Sequence, residues 1–307
     1  MKKFHFIFPG QGAQSVGMLP SIINTDIAKK YFDKTNAAIG YDLLNICKNG
    51  PENLLTQTKN TQPAIFTLSV IIDSILKDNN INPIAVAGHS LGEYSALVSS
   101  EVLSFDEALN LIIIRSSEME KANTMTNGTM AAIMNADLNQ LEKIMHECKG
   151  VVVIANYNTD GQIVISGEKK SILHVIELLK SVSSRIKCIE LNVSGAFHSP
   201  LMKFAREVLS NAINVLYFKD ANVPIYQNIN ASPTKDASII KKNLILQLEN
   251  PVQWFQTINN MIEDMNNNSF IECGPANVLK GLNRRISKEI DTVSIGDTKE
   301  IKLIGME

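Results

Sequence analysis

"AVAGHSLGEYSAL", residues 85 to 97, decides how this chain is read. Gly88-His89-Ser90-Leu91-Gly92 fits G-x-S-x-G, the nucleophile-elbow pattern of serine acyl chemistry. The neighbours supply the context that the pattern requires. "PIAVA" (83–87) is an apolar run of the buried-strand type, and "LGEYSALVSS" (91–100) reads as a helix. A serine on such a strand-to-helix turn is exposed because glycines let the backbone pass close by. It also starts a helix, where amide N–H groups and the dipole favour an oxyanion. What Ser90 attacks, and what removes the acyl group, must come from the rest of the chain. Water as acceptor makes a hydrolase; a thiol or alcohol makes a transferase.

Upstream, "FHFIF" (4–8) ends at Pro9-Gly10 and reads as a first strand. The opening "MKKFHFIFPGQG" has lysines and an apolar run, but no cleavage-type segment follows, so it is not read as a signal peptide. Residues 61–78 and 106–121 carry helical periodicity, the second opening on acidic residues. "NTMTNGT" (123–129) is a break. After it come a strand ("TMAAIM"), a helix ("DLNQLEKIMHEC"), two strands ("VVVIANYN", "GQIVISG"), a helix ("KKSILHVIELLKSV") and a strand ("RIKCIELN"). This β-α-β-β-α-β order is that of a ferredoxin-like module. Residues 125–195 are therefore expected to form a small ferredoxin-like domain, inserted in a large α/β domain made of 1–124 and 196–307. The alternation of strands and helices in the large part predicts a mostly parallel sheet, and the elbow points to an α/β-hydrolase-like arrangement.

Composition narrows the function classes. Of 307 residues, 45% are apolar and 20% charged, which suits a globular chain with a sizeable core. A net charge of −2 gives no field to attract nucleic acid or an anionic membrane. No apolar run is long enough to span a bilayer. Cys47, Cys148, Cys188 and Cys273 are scattered without a C-x-x-C, which suits a reduced cytoplasmic protein better than a disulfide or zinc framework. No metal-ligand cluster is visible.

A nucleophilic serine needs a base. His5 lies inside the first strand. His146 and His174 sit in Lys/Glu-rich helices and read as surface residues, and His89 adjoins Ser90 on a turn where neighbours point apart. His198, in the small-residue loop "SGAFHSPLM" (194–202), is the best candidate; its bland alternative is a satisfied loop histidine. "FPGQGAQSVGM" (8–18) fails G-x-G-x-x-G, because Ser15 stands at the third glycine. The alternative is an oxyanion loop in which the backbone N–H of Gln11 pairs with that of Leu91. Arg115 ends the apolar run "NLIIIR" (110–115). It either bonds a carboxylate of its own protein or forms a fork for a substrate carboxylate.

These segments, with "TQPAIF" (61–66), "NYNTDGQIVISG" (156–167), "QLENPVQW" (247–254) and "IECGPANVLKGL" (271–282), resemble the malonyl-CoA:acyl-carrier-protein transacylases of fatty-acid synthesis along the whole chain. The resemblance implies that Ser90 is acylated, His198 is its base, Gln11 and Leu91 form the oxyanion hole and Arg115 binds the malonyl carboxylate. It implies that a backbone carbonyl at Gln247 orients the histidine and that Gln62 lines the pocket. Phe197, before the histidine, resembles malonyl-selective members. It further implies malonyl-CoA as donor, the phosphopantetheine thiol of an acyl carrier protein as acceptor, a ping-pong scheme, and no metal or cofactor of the enzyme's own. The chain is expected to act as a monomer. Lys280, Arg284 and Arg285, on one C-terminal helix, are candidates for docking the acidic carrier or are simply a solvated face. One departure is Ala276, where the family usually has a glycine. The competing readings are a serine hydrolase or thioesterase, an acyltransferase of polyketide synthesis, and a non-catalytic scaffold.

Overall fold

A computed structural model describes residues 2–193 and 195–304. Met1, Ser194 and residues 305–307 of the expected domains lie outside the described residues. Among the described residues ten strands are formed: β1 (Phe4–Phe8), β2 (Pro83–Gly88), β3 (Gly128–Met134), β4 (Val152–Thr159), β5 (Gln162–Glu168), β6 (Lys187–Glu190), β7 (Ile225–Tyr226), β8 (Pro233–Thr234), β9 (Ser269–Glu272) and β10 (Asp291–Ser294). They make two sheets. The larger has the order β10-β9-β1-β2-β7-β8. All its pairings are parallel except the edge pair β7–β8. The smaller has the order β4-β5-β3-β6 and is antiparallel throughout. The sequence pattern led to a mostly parallel sheet and a second β-rich segment after residue 125, and both are present.

The large sheet is covered on both faces, as parallel sheets require. Phe4, Phe6 and Phe8 of β1 and Val86 of β2 face one apolar cluster, which is shared with the helices Thr58–Asp78, Gly92–Ser99, Phe105–Met125 and Lys203–Val215. Ile7, Ala85 and Ala87 face the other cluster, with Trp254, Ile258 and Met261 of the Trp254–Met265 helix. The period-2 alternation of a strand thus splits one short sequence between two cores. The small sheet has a core of its own. It holds Ala131, Ile133 and Ile165 against Leu141 and Ile144 of the Leu138–Glu147 helix and Ile172, Val175 and Leu179 of the Lys169–Val182 helix.

One boundary differs from the sequence expectation. The helix read as 106–121 runs over Phe105–Met125, into the expected break. Two threonines carry its last turn. Thr124 Oγ1 donates to Lys121 O at 2.7 Å and Thr126 Oγ1 to Ala122 O at 2.8 Å, the latter carbonyl also accepting from Thr126 N at 3.0 Å. Its start is as the sequence suggests, with Ser104 and Glu107 forming a capping box.

The two sheets are tied beside the elbow. Val252 N donates to Ala155 O at 2.8 Å and Tyr157 N to Val252 O at 2.9 Å, so β4 pairs briefly with the segment before the Trp254 helix. The space between the sheets is the cleft described next.

Candidate active site

The elbow is built by sterics. A Cβ on Gly88 would lie 1.9 Å from the carbonyl carbon of Gly92, and one on Gly92 would lie 2.0 Å from Phe8 O. No side chain fits at either position, so the strand and helix can cross only at glycine. Ser90 lies between them with φ 52°, in the left-handed region that a non-glycine residue seldom adopts. His198 is also left-handed, at φ 57°. Such conformations persist only where the surroundings enforce them, and they gather at functional sites.

The two residues meet. Ser90 Oγ is 2.7 Å from His198 Nε2 although 108 positions separate them. His198 Nδ1 lies 3.0 Å from both Gln247 O and Asn250 O. Two carbonyls can only accept, so Nδ1 carries the proton and Nε2 offers its lone pair to the serine. Among the described residues no carboxylate orients the ring. Burial, and then the Arg115 charge, push the His198 pKa down to about 3. The imidazole is therefore neutral and free to accept a proton.

Arg115 is the cation of the site and is 1% exposed. Its Nη1 donates to Gln62 Oε1 at 2.8 Å, and its Nη2 donates to Ser90 Oγ at 3.0 Å and to Gln247 Oε1 at 3.3 Å. Its guanidinium carbon stands 5.5 Å from the centre of the Tyr94 ring, a cation–π contact. Among the described residues no Asp or Glu forms an ion pair with it. Among the described residues Nε has no hydrogen-bond partner of good geometry, the Tyr94 side chain being its neighbour. A guanidinium keeps its charge even here. The reading in which Arg115 bonds a carboxylate of its own protein does not describe this arrangement.

The cleft holds about 280 Å³. Gln11, Gln62, Leu91, Arg115, Phe197 and His198 all line it with Ser90. Gln11 Oε1 is buried without a partner. Gln247 supports the site from behind, donating from Nε2 to Ser90 O at 3.0 Å while its own carbonyl faces His198. Every candidate site residue therefore falls at one place. The other histidines do not act on Ser90. His5 is buried in β1, 3.1 Å from Asn267 O. His146 and His174 are exposed, and His89 bonds Asn158 at 2.9 Å across the cleft.

The model of the acyl transferase domain family matches residues 5–306. A malonyl CoA-acyl carrier protein transacylase of Staphylococcus aureus (strain MW2) is 38% identical over 306 residues, which is 98% of this chain and 98% of that protein. The chain belongs to the malonyl CoA-acyl carrier protein transacylase family of acyl transferases. The structure of the malonyl CoA-acyl carrier protein transacylase from Coxiella burnetii matches with a TM-score of 0.94 at 34% identity, covering 99% of this chain and 97% of that one. A type II PKS acyl-carrier protein in complex with its malonyl-transacylase contains a chain that matches with a TM-score of 0.93 at 32% identity, covering 98% of each.

Some residues of this acyltransferase's site carry no sequence signal. Asn250 adds a second carbonyl to His198, and Met119 Sδ accepts from Gln62 Nε2 at 3.4 Å. Asn228, buried behind the elbow, accepts from Ser90 N at 2.7 Å. Lys280, Arg284 and Arg285 are exposed on the Val278–Ile286 helix, whose Val278, Leu279 and Leu282 line the cleft. No helix among the described residues is long and apolar enough to cross a membrane. Nor do they contain a group of three or more His, Cys, Asp or Glu placed to hold a metal ion.

Proposed function

We propose that this protein transfers the malonyl group of malonyl-CoA to the phosphopantetheine thiol of an acyl carrier protein through a malonyl ester on Ser90. The observation that carries the reading is Arg115, a buried cation beside a Ser–His pair with no carboxylate of the described residues in ion-pair contact; Glu93, behind the elbow, acts on it only at longer range. Burying an unpaired charge is costly, so a site that keeps one expects its partner from the substrate. Malonate supplies a carboxylate of the size and planarity that the guanidinium fork matches.

The roles then follow. His198 Nε2 takes the Ser90 hydroxyl proton as Oγ bonds to the thioester carbonyl carbon. The backbone N–H groups of Gln11 and Leu91 receive the negative charge that develops on the carbonyl oxygen. The C–S bond breaks, and coenzyme A leaves with the proton from His198. In the second half the carrier thiol gives its proton to His198 and attacks the ester, and Ser90 leaves as the alcohol. The Gln247 and Asn250 carbonyls hold the ring in the required tautomer. Gln62 and Phe197 shape the acyl end. The enzyme needs no metal or cofactor of its own for this scheme, since both thiols arrive with the substrates. The strand order of the small sheet and its β-α-β-β-α-β sequence support a ferredoxin-like insertion over 125–195, between hydrolase-like parts 1–124 and 196–307. The scattered cysteines support a reduced, cytoplasmic setting.

The test is a mass measurement after mixing with malonyl-CoA alone. One malonyl group on the Ser90 peptide, discharged by carrier and stable without it, is the expected result. Steady release of malonate without carrier makes the protein a hydrolase instead. Failure of a serine-reactive phosphonate to label Ser90 makes it a scaffold.

A further inference from the structure

The elbow has a second support besides its glycines. β2 pairs in parallel with β7 over Val86–Ala87 and Ile225–Tyr226. The two backbones then part, because β2 must turn at Gly88. Asn228 stands where their ladder would continue, and its side-chain amide takes over. Nδ2 donates to Gly88 O at 2.6 Å, and Oδ1 accepts from Ser90 N at 2.7 Å. One planar group thus fastens the backbone on both sides of His89, across the bend that puts Ser90 at positive φ.

Asn228 is itself fixed on every polar atom. Its backbone N donates to Glu93 Oε2 at 2.8 Å, and its backbone O accepts from Gln253 N at 2.8 Å. Glu93 Oε1 also accepts from Gln227 Nε2 at 3.1 Å, and Gln227 Oε1 accepts from Asn243 Nδ2 at 2.9 Å. Glu93, Gln227 and Asn228 are buried to 1% exposure or less. Glu93 lies in the first turn of the helix that leaves the elbow, so the network runs from that helix through Asn228 back to the strand that enters it.

We infer that Asn228 is a positioning residue for the nucleophile: its amide holds Ser90 Oγ at the 2.7 Å distance from His198 and is oriented for that task by Glu93. The physical reason is the left-handed backbone at Ser90. A strained turn relaxes unless something outside it holds both ends, and glycine sterics define where the chain passes but not which way the Ser90 peptide faces. Gln247 holds the Ser90 carbonyl, and Asn228 holds its N–H. A tilt of the turn moves Oγ away from Nε2, and a small misplacement of reacting atoms is costly in rate. Among the described residues no hydrogen bond links the Asn228 side chain to Arg115 or Gln62, so binding of the acyl group should not depend on it.

The inference rests on Ser90 being the nucleophile, and the experiment separates the two. Asn228→Ala removes both bonds; Asn228→Asp keeps the volume but removes the donor to Gly88 O. The measurements are kcat and KM for malonyl loading, and the rate at which a fluorophosphonate labels Ser90, on variants shown to be folded by circular dichroism. Each folded variant should lose on the order of 10- to 100-fold in kcat and in phosphonate labelling, with KM for malonyl-CoA within about twofold. If Asn228→Ala does not fold, Asn228→Asp decides. Normal kcat in either folded variant, a change confined to KM, or failure of both variants to fold would overturn the positioning role. Absence of labelling in the wild type would overturn the nucleophile assignment itself.

Discussion

The two walls of the cleft are made differently. From the large-sheet side come Ser90, Arg115, His198, Gln11 and Gln62, and behind them Gln247, Asn228 and Glu93. From the small sheet come Met130, Ala132, Asn156, Asn158, Gln162 and Val164, which carry no charge. One wall holds every ionisable group and a dense set of buried hydrogen bonds. The other offers apolar surface and amides. On the proposed function, the contrast would place chemistry and acyl selection on the first wall. The second wall would be left to receive what all substrates share, the pantetheine arm.

The strongest test of that division is His198. His198→Ala should slow both half-reactions by about 10²- to 10⁴-fold, read by single-turnover loading and discharge. The pH profile gives the sign of its shift. A lowered pKa means that the neutral, proton-accepting form persists as pH falls. With His198 at about 3, kcat/KM should stay flat from pH 8 to pH 5. An imidazole with an ordinary pKa near 6.5 would retain only about 3% of its neutral form at pH 5. A fall centred near pH 6.5 would show that the Arg115 charge and burial do not govern this base. Malonate bound to Arg115 should offset that charge, so the inflection in kcat should lie above that in kcat/KM.

Next in size is Arg115. Hydrogen bonds to a charged group are worth about 1.5–3 kcal/mol, so Arg115→Ala should lower kcat/KM for malonyl-CoA roughly 10- to 150-fold. Acetyl-CoA should respond with the other sign. The wild type would bury an unpaired guanidinium against its methyl group, and the substitution removes that penalty. Acetyl transfer should therefore hold or rise, and Arg115→Lys should fall between for malonyl because an ammonium has no planar fork. An equal fall for both thioesters would make Arg115 a structural residue.

The small-sheet wall should behave in the opposite way. Val164 is 4% exposed and lines the cleft. Val164→Ala removes two methyl groups, worth about 0.8 kcal/mol each, so KM should rise by at most roughly 15-fold. The rise should be equal for malonyl- and acetyl-CoA, and kcat should stay within about twofold. A change that favours one acyl group would show that selection is shared between the walls.

The same division explains what could be read from the sequence. The elbow was readable because its requirement is local: two glycines whose missing side chains let strand and helix cross. The second sheet was readable because its strands and helices follow each other in an unbroken pattern, and it has a core of its own. Gln247 and Gln62 stood out only through family resemblance, and Asn228 and Asn250 not at all. Asn228 reaches Ser90 over 138 positions and Gln247 does so over 157, and no periodicity marks a residue whose partner is so distant. The extension of the Arg115 helix to Met125 is hidden for a different reason. Its end is set by threonine side chains bonding carbonyls, which weak helix propensity conceals.

The smallest expected effect separates strain that serves the chemistry from strain that does not. Nine described non-glycine residues have positive φ, and only Asn135 of them lies within 125–195. Of the nine, only Ser90 and His198 line the cleft. Ser90 and His198 need theirs to bring Oγ and Nε2 together. Ala276, at φ 63°, is exposed and contributes no side chain to the cleft. This is the position where the resemblance led to a glycine, and a glycine adopts that conformation without the Cβ clash. Ala276→Gly relieves roughly 1–2 kcal/mol of backbone strain. It gives back about 0.4–1 kcal/mol through the greater freedom of the unfolded chain. The net should be a stabilisation of up to about 1.6 kcal/mol, seen as a Tm rise of up to roughly 3 °C, with kcat and KM unchanged. Glycine at Ser90 would relieve the same kind of strain and remove the nucleophile with it. A lower Tm for Ala276→Gly would mean that the Ala276 methyl makes contacts worth more than its strain, and the left-handed loop before the Val278 helix would then count as part of the supporting structure of the cleft.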